Sequence, residues 1–165
     1  MPRRCRRDAR FIVDRMHGDL ARWLRILGYD TLYSPSFTDY KIFQIARSTG
    51  RIIVTRDKGL TNWARRKGVR AYLVSGVEPE DKLSELARLV GICLDLDPER
   101  TRCPLCNTPL RKADRREVEG RVPQAVLESS ETFWVCPRCG KVYWVGSHWR
   151  DILSRLDKAK RLSHT

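Results

Sequence analysis

The chain has 165 residues, enough for one ordinary domain or for a domain of about 100 residues with a small appendage. An apolar share of 41% beside 32% charged residues excludes a disordered chain, and the longest uncharged apolar run, near Leu89 to Leu94, falls far short of the roughly 20 residues that span a bilayer. Lysine and arginine total 33 against 20 acidic residues, a net charge of +13 that draws polyanions, so nucleic acid is the expected partner and a membrane is not.

Residues 1–10 read as a basic arm carrying Arg3, Arg4, Arg6, Arg7 and Arg10, with no apolar signal-peptide segment behind it, so a cytoplasmic protein is expected. From Phe11 onward short apolar runs alternate with amphipathic stretches, the pattern of βα units around a mostly parallel sheet. The spacing predicts strands at Phe11 to Val13, Thr31 to Tyr33, Arg51 to Thr55 and Arg70 to Val74. Helices are predicted at Asp19 to Leu27, Asp39 to Ser48, Gly59 to Lys67 and Pro79 to Leu89, and Gly28, Gly50 and Gly68 stand where helix-ending left-handed caps are expected. The alternation breaks at residues 94–101, where Asp95, Asp97, Pro98 and Glu99 mark a linker after an α/β unit of residues 11–93. A second unit, residues 102–149, follows, and residues 150–165 supply a C-terminal amphipathic helix and tail with Ile152, Leu153 and Leu156 on one face.

Two C-x-x-C pairs dominate the second unit. Cys103, Cys106, Cys136 and Cys139 have the spacing of a zinc ribbon, in which each two-residue spacer turns two sulfurs toward one ion and four thiolates close a structural zinc shell. A closed shell is not catalytic, so any chemistry must lie elsewhere. The segment between the pairs is rich in arginine and offers little apolar core, so the metal is expected to supply folding energy there. Of the two remaining cysteines, Cys93 reads as a small buried hydrophobe and Cys5 as part of the mobile arm.

In an open parallel sheet, ligands gather beyond the carboxyl ends of the strands. Asp14 ends the first predicted strand, Asp57 follows the third, and Asp39 opens the helix leading into it. Together they offer three hard oxygen ligands for Mg²⁺ or Mn²⁺, although a helix cap for Asp39 and turn roles for Asp14 and Asp57 explain each residue singly. Arg22, Arg25 and Arg56 lie in the same segments and suit phosphate contact, or equally pairing with the acids. In the second unit, Trp134, Tyr143, Trp144, His148 and Trp149 interleave with Arg138, Lys141 and Arg150, a mixture that stacks on unpaired bases and meets phosphates. Trp134 and Tyr143 are expected inside and Trp149 outside.

Phe11-Ile-Val-Asp14, Leu20-Ala-Arg-Trp-Leu-Arg-Ile-Leu-Gly-Tyr-Asp30-Thr31 and Arg51-Ile-Ile-Val-Thr-Arg-Asp57 closely resemble the Mut7-C RNase domain, a PIN-like fold with a zinc ribbon. Arg102-Cys-Pro-Leu-Cys-Asn107, Val122-Pro123, Cys136-Pro-Arg-Cys-Gly-Lys-Val-Tyr-Trp144 and Gly146-Ser-His-Trp149 are similar to its C-terminal half, so the resemblance runs over about residues 11 to 155. It implies a PIN-like sheet and a metal-dependent ribonuclease whose acids map onto Asp14, Asp39 and Asp57. It also implies a fourth acid on a helix after the first strand, for which Asp19 and Asp30 are the candidates, while His17 and Asp19 replace the apolar and basic residues of that pattern.

The leading expectation is a ribonuclease that uses Mg²⁺ or Mn²⁺ for catalysis and zinc for structure, acting on RNA with ribosomal RNA and tRNA as candidate classes. Arg22, Arg25, Arg56, Arg138, Lys141, His148 and Trp149 would hold that RNA. Two rivals are a non-catalytic RNA- or ribosome-binding protein on the same scaffold, and a DNA-processing or transcription-associated zinc-ribbon factor. Nothing in the sequence sets the oligomeric state.

Overall fold

A computed structural model describes residues 4–164. Four short strands, β1 (Phe11–Val13), β2 (Thr31–Tyr33), β3 (Ile52–Thr55) and β4 (Ala71–Leu73), form an all-parallel sheet in the order β2-β1-β3-β4. Helices α1 (Gly18–Ile26), α2 (Asp39–Thr49), α3 (Lys58–Arg66) and α4 (Pro79–Leu89) alternate with the strands, within a residue of their expected bounds. Gly28, Gly50 and Gly68 end three of them with φ of 94°, 75° and 81°, a region that L side chains enter only with strain.

The central strands β1 and β3 bury both faces, which is why they read as continuous apolar runs. Phe11, Val13, Ile52 and Val54 face a core shared with Leu20 and Leu24 of α1 and Leu83 and Leu86 of α4. Ile12 and Ile53 point the other way, onto Ile42, Phe43 and Ala46 of α2 and Leu60 and Ala64 of α3. The chain steps from β1 to β2 on one side and then returns to β3 on the other. The carboxyl ends of β1 and β3 therefore flank the topological switch point, where an open α/β sheet leaves a crevice.

A second, antiparallel sheet joins β5 (Arg111–Ala113), β6 (Phe133–Val135) and β7 (Val142–Trp144) in that order. Two short helices, α5 (Arg115–Val118) and α6 (Gln124–Ser129), fold over it and were not legible in the arginine-rich sequence. Its core is small, with Ala113, Val118, Phe133 and Val135 buried. The last helix, α7 (Ser147–Ser163), carries His148 and Trp149 in its first turn. Leu156 and Ala159 of α7 are buried in the core that contains α4, so this helix clasps the parallel-sheet unit. Among the described residues no helix is long and apolar enough to cross a membrane.

Two cysteine readings are corrected. Cys5 and Cys93 are joined in a disulfide across 88 residues, with Cα atoms 5.0 Å apart. Neither a mobile arm at Cys5 nor a free buried thiol at Cys93 holds, because Arg6 also pairs with the segment after α4, donating its N–H to Gly91 O at 2.7 Å. Tyr29 ties this corner to the sheet: its hydroxyl donates to Arg6 O and accepts the Cys93 N–H, both at 2.6 Å.

Candidate active site and metal centre

Asp14 sits just past β1, buried and clamped by neighbours. Its Oδ1 accepts the Met16 N–H at 2.9 Å, capping a 3-10 turn over Arg15–His17, and its Oδ2 accepts from Thr55 Oγ1 and, at 3.2 Å, from the Arg56 N–H. Thr55 is the last residue of β3, and its hydroxyl also accepts the Asp57 N–H at 3.0 Å. One buried hydroxyl thus links the two strand-end acids, a role that the sequence shows only as a threonine closing an apolar run. Asp57 caps α3, its Oδ1 accepting the N–H groups of Gly59 and Leu60 at 2.7 and 3.2 Å.

Asp39 is the first residue of α2 and not its cap, since Thr38 Oγ1 fills that role by accepting the Lys41 N–H at 3.1 Å. Its carboxyl is held above the usual carboxylate range, first by burial and then by the negative charges of Asp57 and Asp14. The fold therefore brings all three acids into one electrostatic neighbourhood at the switch point. Three oxygen donors of one sign, repelling each other until a cation intervenes, are the donor set that suits Mg²⁺ or Mn²⁺.

The two candidates for a fourth acid are engaged elsewhere. Asp19 grips the buried Lys82 of α4, with Nζ 2.8 and 3.0 Å from its two oxygens. Asp30 precedes β2 and so lies at the opposite end of the parallel sheet from Asp14. Burial works against its charge, but hydrogen bonds from Arg51 at 2.9 Å and Asn107 at 2.7 Å hold it below the usual range.

His17 is fully buried beside the acids, its Nε2 3.0 Å from Val74 O and its Nδ1 without a partner among the described residues. Burial lowers its pKa, and Lys82 and Arg56 lower it further against Asp14 and the Val74 hydrogen bond. The unfolded chain then binds the proton more tightly than the folded one, so His17 leaves stability intact above about pH 6.5 and erodes it as the pH falls below that value. Its share approaches about 1.4 kcal/mol per pH unit. Urea unfolding between pH 7 and 5 is expected to show a shallower acid loss for His17→Leu than for the wild type; equal slopes would contradict this.

At the other end of the molecule the four thiols converge. Sγ of Cys103 lies 3.6 Å from that of Cys139, and Sγ of Cys106 lies 3.3 Å from that of Cys136. All four sulfurs are within 4.8 Å of one another. Zn–S bonds of about 2.3 Å in a tetrahedron place sulfurs about 3.8 Å apart, so the cluster is sized for an ion. Burial drives the Cys136 thiol up to about 11, whereas Cys106, despite burial, is drawn down to about 6 by hydrogen bonds with Thr108. Thiolates bind a metal only once deprotonated, so an ion at this cluster would bind with release of the thiol protons. Among the described residues this is the one group of three or more His, Cys, Asp or Glu side chains so tightly gathered, and Asp14, Asp39 and Asp57 do not form such a group.

The first knuckle also plugs the edge of the parallel sheet. Asn107, at φ 72°, accepts the Thr31 N–H on Oδ1 at 2.9 Å while its Nδ2 donates to Asp30. Arg25 is corrected as an RNA contact: it is buried, and its guanidinium donates to Thr31 O and to Pro104 O, both at 2.9 Å. It fastens α1 and β2 to the knuckle. Asn107→Ala leaves the buried Thr31 N–H unpaired and removes the polar side chain that lets asparagine tolerate positive φ, so a loss of about 2–3 kcal/mol is expected in denaturant unfolding, against under 0.5 kcal/mol if the junction were idle.

The remaining cations and aromatics divide by exposure. Arg22, Arg138, Lys141 and His148 are exposed, and so is Arg56, which also donates to Ser75 O at 3.0 Å. Trp134, Tyr143 and Trp149 are all half-buried, so the expected split of two inside and one outside does not occur. Tyr143 brings its hydroxyl 3.3 Å from Cys103 Sγ, and these rings instead line a common hollow. A larger hollow of about 770 Å³, between the disulfide corner and the end of α7, holds no acid cluster: its Asp95 is paired with Lys160 at 2.7 Å.

The family model of the Mut7-C RNAse domain matches residues 9–156. The chain belongs to the Mut7-C RNAse domain family. The resemblance read from its motifs therefore holds over most of its length, and with it a ribonuclease-type, RNA-related function. No curated protein and no solved structure matches the chain. In this Mut7-C chain the strand-end acids and the cysteine cluster occupy opposite ends of the parallel sheet, joined along α1 and β2.

Proposed function

We propose that this Mut7-C protein hydrolyses RNA phosphodiester bonds at Asp14, Asp39 and Asp57 with the help of Mg²⁺ or Mn²⁺, while zinc on the four cysteines holds the ribbon. The observation that carries the reading is the linking of Asp14 and Asp57 through Thr55 at the switch point, with Asp39 close enough that burial and then their charges raise its pKa. Perturbed carboxylates of this kind cluster at functional sites. A divalent ion held by these acids supplies Lewis-acid stabilisation and an activated water. The chain's own part is to hold the acids in place: Thr55 and the Arg56 N–H fix Asp14, the α3 N-terminus fixes Asp57, and exposed Arg56 and Arg22 are placed to meet phosphates.

The expected result is RNA cleavage that appears with added Mg²⁺ or Mn²⁺ and vanishes without it, ribosomal RNA and tRNA being tried first. Cleavage indifferent to divalent ions would refute the assignment. The second reading, a non-catalytic RNA- or ribosome-binding protein, is favoured by Asp19 and Asp30 being tied to Lys82, Arg51 and Asn107. It requires tight, salt-sensitive binding without cleavage, the affinity falling by about one power of salt per phosphate neutralised.

A further inference from the structure

Between the ribbon, the linker and the first turn of α7 lies a hollow of about 260 Å³. Its walls include Trp134, Tyr143, Trp144, Trp149, Pro104 and Ile152. Cavities that take drug-sized ligands run from about 300 to 1,000 Å³, so this one suits a single flat ring system. Trp134 Nε1 is buried with no acceptor among the described residues. That atom is covered, so the hollow offers a ligand aromatic faces and not a donor, and a planar ring that stacks is what these walls fit. Exposed cations, Arg138 and Lys141 on the second knuckle and Arg150 on α7, belong to the same half of the molecule, which favours a ligand attached to phosphate.

A path connects this hollow to the acids. Gly18, Asp19, Arg22, Tyr33, Pro104 and Leu105 line a shallow cleft, and Pro104 belongs to both cleft and hollow. The cleft begins at the amino end of α1, next to the turn that Asp14 caps, and the hollow is reached at Ile26, the helix's last residue. With about 1.5 Å of rise per residue, the nine residues of α1 set the two ends roughly 13 Å apart, a span of a few nucleotides. Exposed Arg22 stands along the way.

We infer that the hollow takes one unstacked base of a single-stranded RNA, at a fixed spacing of a few nucleotides from the phosphate that reaches Asp14. The inference rests on RNA being the substrate. The base lies among the aromatic walls, and the intervening phosphates follow the cleft past Arg22. Cutting register is thereby set by a pocket remote from the reacting acids.

The test is RNA binding by the full zinc-loaded chain without Mg²⁺ or Mn²⁺, so that it stands apart from cleavage. The probe is a short single-stranded RNA fixed at one end by a duplex and made abasic at one position at a time. One position is expected to weaken binding roughly 5- to 100-fold, the worth of one stacked base, with its neighbours nearly neutral. Leu110 is a further wall of the hollow, and in Leu110→Trp, which fills it, and Trp149→Ala, which removes a wall, that position is expected to become neutral while zinc content and melting temperature stay near those of the wild type. A flat abasic profile, a sensitive position that persists in both variants, or no RNA binding at all would overturn the inference. A flat profile beside metal-dependent cleavage would leave the nuclease standing, whereas the sensitive position without cleavage would leave the pocket standing.

Discussion

Chelation of the ribbon metal, or Cys136→Ser, is expected to unfold the ribbon outright and to loosen the edge of the parallel sheet. The ribbon core consists of Ala113, Val118, Phe133 and Val135. Burial of such side chains is worth at most about 1.5–3 kcal/mol each, against roughly 1.5 kcal/mol for every residue that must be ordered. A core this small cannot order the ribbon unaided, and structural zinc contributes about 10–16 kcal/mol to the folding of such units. The loss then spreads along defined bonds: Thr31 N–H to Asn107, Arg25 to Pro104 O, and the Arg102 N–H to Arg25 O at 2.9 Å. Hydrogen exchange after chelation is expected to show full exchange in β5 to β7, faster exchange at Thr31, and continued protection at Ile53 and Val54. Protection of β6 without metal would refute the zinc's folding role, and an unchanged Thr31 would refute the coupling.

The second large effect is expected at the acids. Asp14→Asn preserves shape, and its one amide oxygen can still accept the Met16 N–H, while the amide nitrogen that replaces Oδ2 no longer accepts from Thr55 and the Arg56 N–H; that loss of about 1–3 kcal/mol is expected to leave the sheet folded. The lost charge removes a hard ligand, and metal catalysis is worth several kcal/mol, so cleavage is expected to fall on the order of a hundredfold or more. Asp39 supplies the pH dependence. Burial, Asp57 and Asp14 raise its pKa, so the folded state holds its proton more tightly than the unfolded one, and the metal-free protein loses stability as the pH rises through the raised value. Asp39→Asn is therefore expected to raise the melting temperature of the metal-free protein at neutral pH, by relieving repulsion, and to abolish the increment that Mn²⁺ gives the wild type. A lower melting temperature without metal, or an undiminished Mn²⁺ increment, would place Asp39 outside the cluster.

The parallel half was legible because its central strands are buried on both faces and its helices end at glycines, so that Phe11–Val13, Ile52–Thr55 and Gly28 announce themselves locally. The cysteine cluster was legible because ligand spacing within a knuckle is a local constraint. What was missed depends on partners far along the chain. The Cys5–Cys93 pair spans 88 residues, and no spacing rule joins such a pair. Arg25 reads as a surface cation on an amphipathic helix until β2 and the Cys103 knuckle are packed against it. Asp30 and Asn107 likewise become intelligible only as two ends of one hydrogen bond. Thr55 carried no signal beyond its place at a strand end, yet it joins Asp14 to Asp57.

The central claim is that the three aspartates are the hydrolytic site, and the most direct measurement compares wild type, Asp14→Asn and Asp57→Asn, each zinc-loaded and supplied with Mn²⁺, on a mixture of structured and unstructured RNAs. Cleavage by the wild type and its loss in both variants, with zinc content and RNA binding retained, is the expected result. Cleavage that survives both substitutions, or salt-sensitive RNA binding by a wild type that cuts nothing under any divalent ion, would contradict it.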